Sequence, residues 1–279
     1  MPTPSLSGIL YAGAGDIAKR CYQHLHPLAI PQWALRRSPT PNDNGIPAIH
    51  ADLTQASSLQ NLPTVSHVLY TATPSERSTA GYAAIYETGL NNLLNALDLD
   101  ALQRFVFVSS TAVYSASEAW LDESSPTHPA QFNGQALLDA ETRLRERLGD
   151  KLVIVRFSGI YGPERLQWLQ RLRKPGWVVP ASAGNWANRI HIDDVVQACC
   201  ALLQHPEAHG IYVGTDDTPL EQIELYTQLA EFLGIAPPLR DDKAPAQGKR
   251  LQNQRLKQLG WTPKWPNTLA GYQAILRAL

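Results

Sequence analysis

The sequence predicts a doubly wound α/β fold, a parallel sheet with helices on both faces, followed by a smaller subdomain. Three observations carry this. Short apolar runs alternate with amphipathic stretches from residue 7 to about 155. The first run ends in a glycine turn that opens a helix. The last third loses the alternation and becomes rich in Gly, Pro and Trp. An alternating βαβα rhythm implies crossover helices and therefore parallel strands.

The elements follow in order. Ser7–Ala12 reads as a strand running into Gly13-Ala14-Gly15. Ile17, Ala18, Cys21, Tyr22 and Leu25 share one helical face. Trp33–Leu35 ends a second strand, followed by Arg36-Arg37. Ala48–Ile49 is a weak third strand before Asp52-Leu53-Thr54. Val65–Tyr70 is a fourth, running into Thr71-Ala72-Thr73. Tyr82, Ile85, Tyr86, Leu90, Leu93, Leu94 and Leu97 mark a long amphipathic helix. Phe105–Val108 is a buried strand ending at Ser109-Ser110-Thr111. Ala136–Leu148 is helical and Leu152–Val155 is the next strand. Gly159–Trp186 reads as loops with one helix. Asp193 can cap a helix running to Leu203, and Ile211–Val213 can return to the sheet. Thr218-Pro219-Leu220-Glu221 has the form of a capping box with Pro at the first helical position. Its helix should stop at Gly234. Two short helices should end at Leu259 and near the C-terminus. The expected partition is a nucleotide-binding part, 1–162 with about 189–215, and a substrate-binding part, about 163–188 with 216–279.

Composition narrows the function classes. A formal net charge of −1 gives no electrostatic reason to expect nucleic acid or an anionic membrane as partner. Hydrophobic residues make up 44% and charged residues 18%, enough for a sizeable core. The apolar runs are of strand length, so none is expected to span a bilayer. Residues 1–7 lack the charged start of a signal peptide. Three cysteines, two of them adjacent, form neither a disulfide framework nor a zinc set. A cytoplasmic protein acting on a small molecule, without a metal, is the expectation.

Gly13-Ala14-Gly15-Asp16-Ile17-Ala18 has a mechanical reading. Gly13 permits the tight turn. Gly15 leaves no Cβ between the backbone and a pyrophosphate. Ala18 keeps the helix close to the sheet, and the helix N-terminus offers free N–H groups to phosphate. This is the fingerprint of a Rossmann-type NAD(P) site when it joins a strand to a helix. An NAD site usually carries an acid at the end of the second strand. Here Arg36 and Arg37 stand there, with no acid before Asp43. Arginine suits a 2′-phosphate, so NADP is expected over NAD, unless the pair is simply solvated. Asp52 is either an acceptor for the adenine amino group or a local cap.

Together these segments resemble the extended short-chain dehydrogenase/reductases of the NAD-dependent epimerase/dehydratase branch. The matching pieces are the glycine turn, Ala51-Asp52-Leu53-Thr54, Tyr70-Thr71-Ala72-Thr73, Val108-Ser109-Ser110-Thr111-Ala112-Val113-Tyr114, Arg156-Phe157-Ser158-Gly159-Ile160-Tyr161-Gly162-Pro163 and Arg189-Ile190-His191-Ile192-Asp193-Asp194. They occur in family order over roughly residues 7–215. The resemblance implies a seven-stranded sheet and a small C-terminal substrate-binding subdomain. It implies cofactor contacts from Gly13, Gly15, Asp16, Ile17, Asp52, Leu53, Thr71, Ala72, Thr73 and Ser109. It also implies that Ser158, Gly159 and Ile160 line the nicotinamide end. Tyr161 and Arg189 are candidates for the substrate pocket. A homodimer through Tyr82–Leu97 and Ala136–Leu148 is a further family expectation.

The family's Tyr-x-x-x-Lys dyad is missing. Glu141 resembles the glutamate four residues after that lysine, which puts Leu137 in the lysine slot and Asn133 in the tyrosine slot. A one-residue shift gives Ala136 and Phe132. No Lys occurs between Lys19 and Lys151, so no register restores it. The chain is therefore similar to the atypical members of the superfamily. Ser110 or Thr111 is the candidate to hold the substrate oxygen, and Tyr114 or a water the candidate to move the proton. The alternative is a non-catalytic protein that senses the dinucleotide.

Overall fold

A computed structural model describes residues 6–38 and 45–278. Asp43 lies outside the described residues. The chain clusters into two compact units. One comprises Met1–Val113, His128–Arg156 and Val196–Tyr212; the other comprises Tyr114–Thr127, Phe157–Val195 and Val213–Leu279. Residues 114–127 and 157–162 thus fall in the second unit. For the latter stretch the reason is backbone pairing: Gly159–Tyr161 runs parallel to Arg189–His191.

The first unit is organised by a seven-stranded sheet. Its strands are β1 (Ile9–Ala12), β2 (Gln32–Arg36), β3 (Ala48–His50), β4 (His67–Tyr70), β5 (Arg104–Ser110), β6 (Leu152–Phe157) and β7 (Gly210–Gly214). The order is β7-β6-β5-β4-β1-β2-β3. β1 pairs in parallel with both β2 and β4, so the winding reverses between β1 and β4. In doubly wound sheets ligands bind outside the carboxyl ends of the strands at such a point. All four residues of β1 are fully buried. That is why the strand reads as a continuous apolar run and not an alternating one.

Helix α1 (Asp16–Leu25) buries Ala18, Cys21, Tyr22 and Leu25, the stripe read from the sequence. The helical stretch α2 follows Ser78, whose hydroxyl caps it by accepting from the Gly81 N–H at 3.1 Å. It runs as α-helix over Thr79–Ala83, π-helix over Ala84–Gly89 and α-helix over Leu90–Ala96. A side chain at Gly89 would come within 3.1 Å of Leu53 Cβ, so the wide turn brings backbone close to that loop. Helix α3 (Phe132–Leu148) begins four residues earlier than its periodicity suggests. A Cβ at Gly134 would lie 2.3 Å from the Ala112 carbonyl, so the start of α3 rests directly on the turn after β5. Helix α4 (Ile192–Gln204) ends under Arg104, which donates to the carbonyls of Leu202, Leu203, His205 and Pro206. A buried cation there satisfies carbonyls that no helical N–H can reach. Cys21, Cys199 and Cys200 are buried free thiols.

The second unit uses two-stranded ladders. Val178–Pro180 pairs with Leu239–Asp241, Trp186–Ala187 with Leu220–Glu221, and Trp120–Leu121 with Arg250–Leu251. Its core gathers Tyr161, Leu172, Leu225, Tyr226, Leu229 and Tyr272. The expected capping box does not form. Leu220–Glu221 is spent on the ladder, the helix spans Gln222–Leu233, and the Thr218 hydroxyl donates to the Pro266 carbonyl. A tertiary strand partner has displaced a local cap. The helix does end at Gly234, which takes the left-handed conformation at φ 65°.

Candidate functional site

The glycine turn joins β1 to α1. Gly13 has φ 83°, and a Cβ there would stand 2.3 Å from Ala72 Cα. Both facts require glycine. Gly13 and Ala14 N–H groups both bond the Leu35 carbonyl at 3.2 Å. The Thr71 hydroxyl donates to the Gly13 carbonyl at 2.7 Å. The turn is therefore pinned by the ends of β2 and β4. Gly15 is exposed, with no atom within 4 Å of the position a Cβ would take. It is the N-cap of α1 and has no side chain to satisfy the first-turn N–H groups. The result is an open, fixed cradle of donors at a helix N-terminus, which fits a pyrophosphate. Asp16 pairs with Arg20 at 2.7 Å, and Ile17 is half-buried in the first turn.

Arg36 closes β2 half-buried, and Arg37 follows it exposed. Asp52 makes a local turn: its Oδ1 accepts from the Thr54 N–H at 2.9 Å and the Thr54 hydroxyl at 2.8 Å. Asp52 is therefore a turn residue and not a helix cap, since the 3-10 helix Ala56–Leu59 has Gln55 at its N-cap; the exposure of Asp52 is intermediate. Leu53 is buried, and its carbonyl accepts from Asn92. Thr71 and Ala72 are committed to the glycine turn, whereas Thr73 is exposed.

At the end of β5 the hydroxyls divide. Ser109 is buried and donates to Glu141 Oε1 at 2.6 Å. The same glutamate takes two bonds from Arg156, Nε to Oε1 at 3.0 Å and Nη2 to Oε2 at 2.5 Å. Ser109 therefore belongs to a closed, buried network. Ser110 is half-buried, and its Oγ accepts only from the Ala112 N–H at 3.1 Å, which leaves its proton free to donate. Thr111 is buried. In α3, Leu137 is buried apolar packing and Asn133 holds a buried Oδ1 with no partner.

In the second unit, Tyr114 is buried and its hydroxyl donates to the Asp122 carbonyl at 2.8 Å. That bond ties down a turn and removes the reason to give Tyr114 the proton. Tyr161 also needs correction. It is fully buried, stacked on Tyr272 at 4.5 Å and packed on Gly271, so it is core and not pocket wall. Burial, then the nearby Asp216, pushes its phenol up. Arg189 is half-buried. It donates to the Asn188 carbonyl at 2.9 Å and the Tyr226 hydroxyl at 2.7 Å, and lies 5.1 Å from the Trp168 ring centre. Gly159 is exposed beside it: a Cβ there would be 3.0 Å from Arg189 Nη1. Ile160 is half-buried, and Ser158 is buried with its Oγ unpartnered. Asp193 and Asp194 are structural. Asp194 accepts from the Lys264 and Trp265 N–H groups, and burial raises its carboxyl to about 6. Asp193 takes Lys264 Nζ at 3.0 Å.

Lys249 escaped the sequence reading. Its Nζ donates to the Tyr114 carbonyl at 2.6 Å across 135 residues. It sits in a polar loop with no local motif, so nothing in its neighbourhood announces it. Among the described residues no cluster of His, Cys, Asp and Glu could hold a metal, and no helix is long and apolar enough to cross a membrane.

Residues 13–213 match the model of the NAD dependent epimerase/dehydratase family. The protein YeeZ of Escherichia coli K12 is 28% identical over 203 residues, 70% of either chain. A solved structure from Methylobacillus flagellatus, described as an NAD-dependent epimerase/dehydratase, is 34% identical. It covers 98% of this chain and 99% of its own, with a TM-score of 0.81. The NAD complex of Thermus thermophilus UDP-glucose 4-epimerase shares the fold at 18% identity, covering 97% of both chains with a TM-score of 0.80. These matches favour an enzyme over a dinucleotide sensor. With its glycine turn at the β1/β4 switch, the chain belongs to the NAD-dependent epimerase/dehydratase family.

Proposed function

We propose that this chain is an NAD(P)-dependent oxidoreductase or epimerase with a non-standard active site, acting on a small substrate that carries a hydroxyl or carbonyl. The observation that carries the reading is the glycine turn. Gly13 admits no side chain against Ala72, and Gly15 leaves the first N–H groups of α1 open. The cofactor, when bound, supplies a hydride acceptor or donor. Gly13, Gly15 and Ile17 would hold its pyrophosphate. Arg36 and Arg37, at the end of β2, would meet a 2′-phosphate, which makes NADP the preferred form. Ser110 has a hydroxyl proton to spare and would hold the substrate oxygen. Without a tyrosine at the start of α3, and with Tyr114 tied to Asp122, a water is left to carry the proton. The reading also includes a cytoplasmic location and self-association through α2 and α3, where Phe132 is 40% exposed.

The test is a titration with NADPH and NADH followed by tryptophan fluorescence, then turnover on a panel of carbonyl compounds. NADPH should bind more tightly than NADH. Arg36→Ala should weaken NADPH by about 10- to 100-fold, the worth of one or two charge-assisted bonds, and leave NADH little changed. Ser110→Ala should lower turnover without changing cofactor affinity. Absence of binding by either dinucleotide would overturn the reading. Sedimentation of the native chain against Phe132→Glu checks the association.

A further inference from the structure

Lys249 is held in place as few loop residues are. The Gly248 N–H bonds the Gly184 carbonyl and the Gly248 carbonyl accepts from Ser117, both at 3.0 Å. A Cβ at Gly248 would fall 2.1 Å from the Trp186 nitrogen. Asn188 brackets Lys249, donating to its carbonyl at 2.6 Å and accepting from the Leu251 N–H at 3.2 Å. Arg250 lies 5.1 Å from the ring centres of both Trp120 and Trp186. The backbone that carries the ammonium is thus fixed on all sides.

The ammonium itself is left incomplete. It has three donors and uses one, on the Tyr114 carbonyl. Lys257 and Lys264 pair with Asp217 and Asp193, but Lys249 pairs with no carboxylate among the described residues. Burial alone pulls its pKa down to about 8. Lys249 is half-buried; a cation partly withdrawn from water with no counter-charge carries a cost, and a neutral donor would tie the Tyr114 carbonyl equally well. Arg189, next to the bracketing Asn188, is similar: it donates to a carbonyl and a neutral phenol. The arrangement is a half-buried cation without a carboxylate partner among the described residues, carried on a backbone with several tertiary bonds.

We propose that Lys249 is the binding cation for an oxyanion, carried by the substrate as a carboxylate or a phosphate group. That the anion belongs to a substrate rests on the functional reading above; the anion site does not.

Trace acetylation of the intact chain with acetic anhydride, resolved lysine by lysine by mass spectrometry across pH, tests this. Lys249 should titrate well below the exposed lysines. An anion that binds the ammonium must raise its pKa by linkage, so acetylation of Lys249 at fixed pH should slow several-fold. Phosphate and succinate form separate arms and tell which group the site takes. Chloride at matched ionic strength is the control. Slowing by phosphate or succinate at Lys249, and not at Lys257 or Lys264, supports the site. A Lys249 rate unmoved by both anions, equal slowing by chloride, or an amine closed to the reagent overturns it. NADPH binding, measured on the same sample, separates the two claims. Anion protection without NADPH binding keeps the site and removes the cofactor reading. NADPH binding without anion protection removes the site alone.

Discussion

The two units differ in how far they close buried charge, although Asp194 of the second is held by two backbone N–H groups. In the first, Glu141 and Arg156 are both almost fully buried, joined by two hydrogen bonds, with Ser109 completing the carboxylate. Arg104 is buried against four carbonyls. In the second, Asp216 is buried with one oxygen on the Thr268 hydroxyl and the other unpartnered, and Lys249 has no counter-charge among the described residues. The first pattern is closed and serves the fold. The second leaves hydrogen-bonding capacity unused.

Breaking the closed pattern should cost most. Glu141→Ala strands a buried guanidinium and should destabilise the protein by about 3–5 kcal/mol, read by urea or thermal unfolding. A loss below 1 kcal/mol would end the distinction. Asp216→Asn should act with the opposite sign. Burial raises the Asp216 carboxyl from 3.8 to about 7, against the bonds from Thr268 and Thr218. The unfolded chain therefore ionises first as pH rises. Stability conferred by the neutral acid is full below about pH 4, falls as pH climbs to about 7, and stays lost above. Asn mimics the neutral acid, so the variant should gain on the order of 2–4 kcal/mol at pH 8 and nothing at pH 3.5. Arg104→Met should cost about 2–4 kcal/mol, since four carbonyl bonds worth roughly 0.5–1 net each are lost, and should loosen the end of α4 in hydrogen exchange. Asp52→Ala should cost only about 1 kcal/mol, the net worth of a local turn's hydrogen bonds. If it also abolishes NADPH binding, Asp52 is more than a turn residue.

Much of the first unit was legible in the sequence. β1, the glycine turn and the α1 stripe depend on contacts within a few residues, or on burial on both faces, and both leave local patterns. Gly13 could be read because the turn demands positive φ. Its close approach to Ala72 was not legible, since 59 residues separate them. The absence of any Lys between Lys19 and Lys151 was readable directly. The second unit was less legible. Thr218-Pro219-Leu220-Glu221 has every local mark of a helix start, yet Trp186–Ala187 claims its last two residues as a strand. Tyr161 looked like a pocket aromatic until Tyr272, far along the chain, stacked on it.

By itself the sequence determined the fold class, the Gly-x-Gly turn and the lysine-free stretch between Lys19 and Lys151, because periodicity, glycine conformation and residue identity are local properties. Only the tertiary structure decided which polar groups are spent and which are spare. It closed Ser109 into the Glu141–Arg156 network, left Ser110 with a free proton, tied Tyr114 to Asp122 and brought Lys249 to Tyr114 from 135 residues away. Hydrogen-bond partners and desolvation are set by what packs nearby in space, and that is not encoded in any window of the chain.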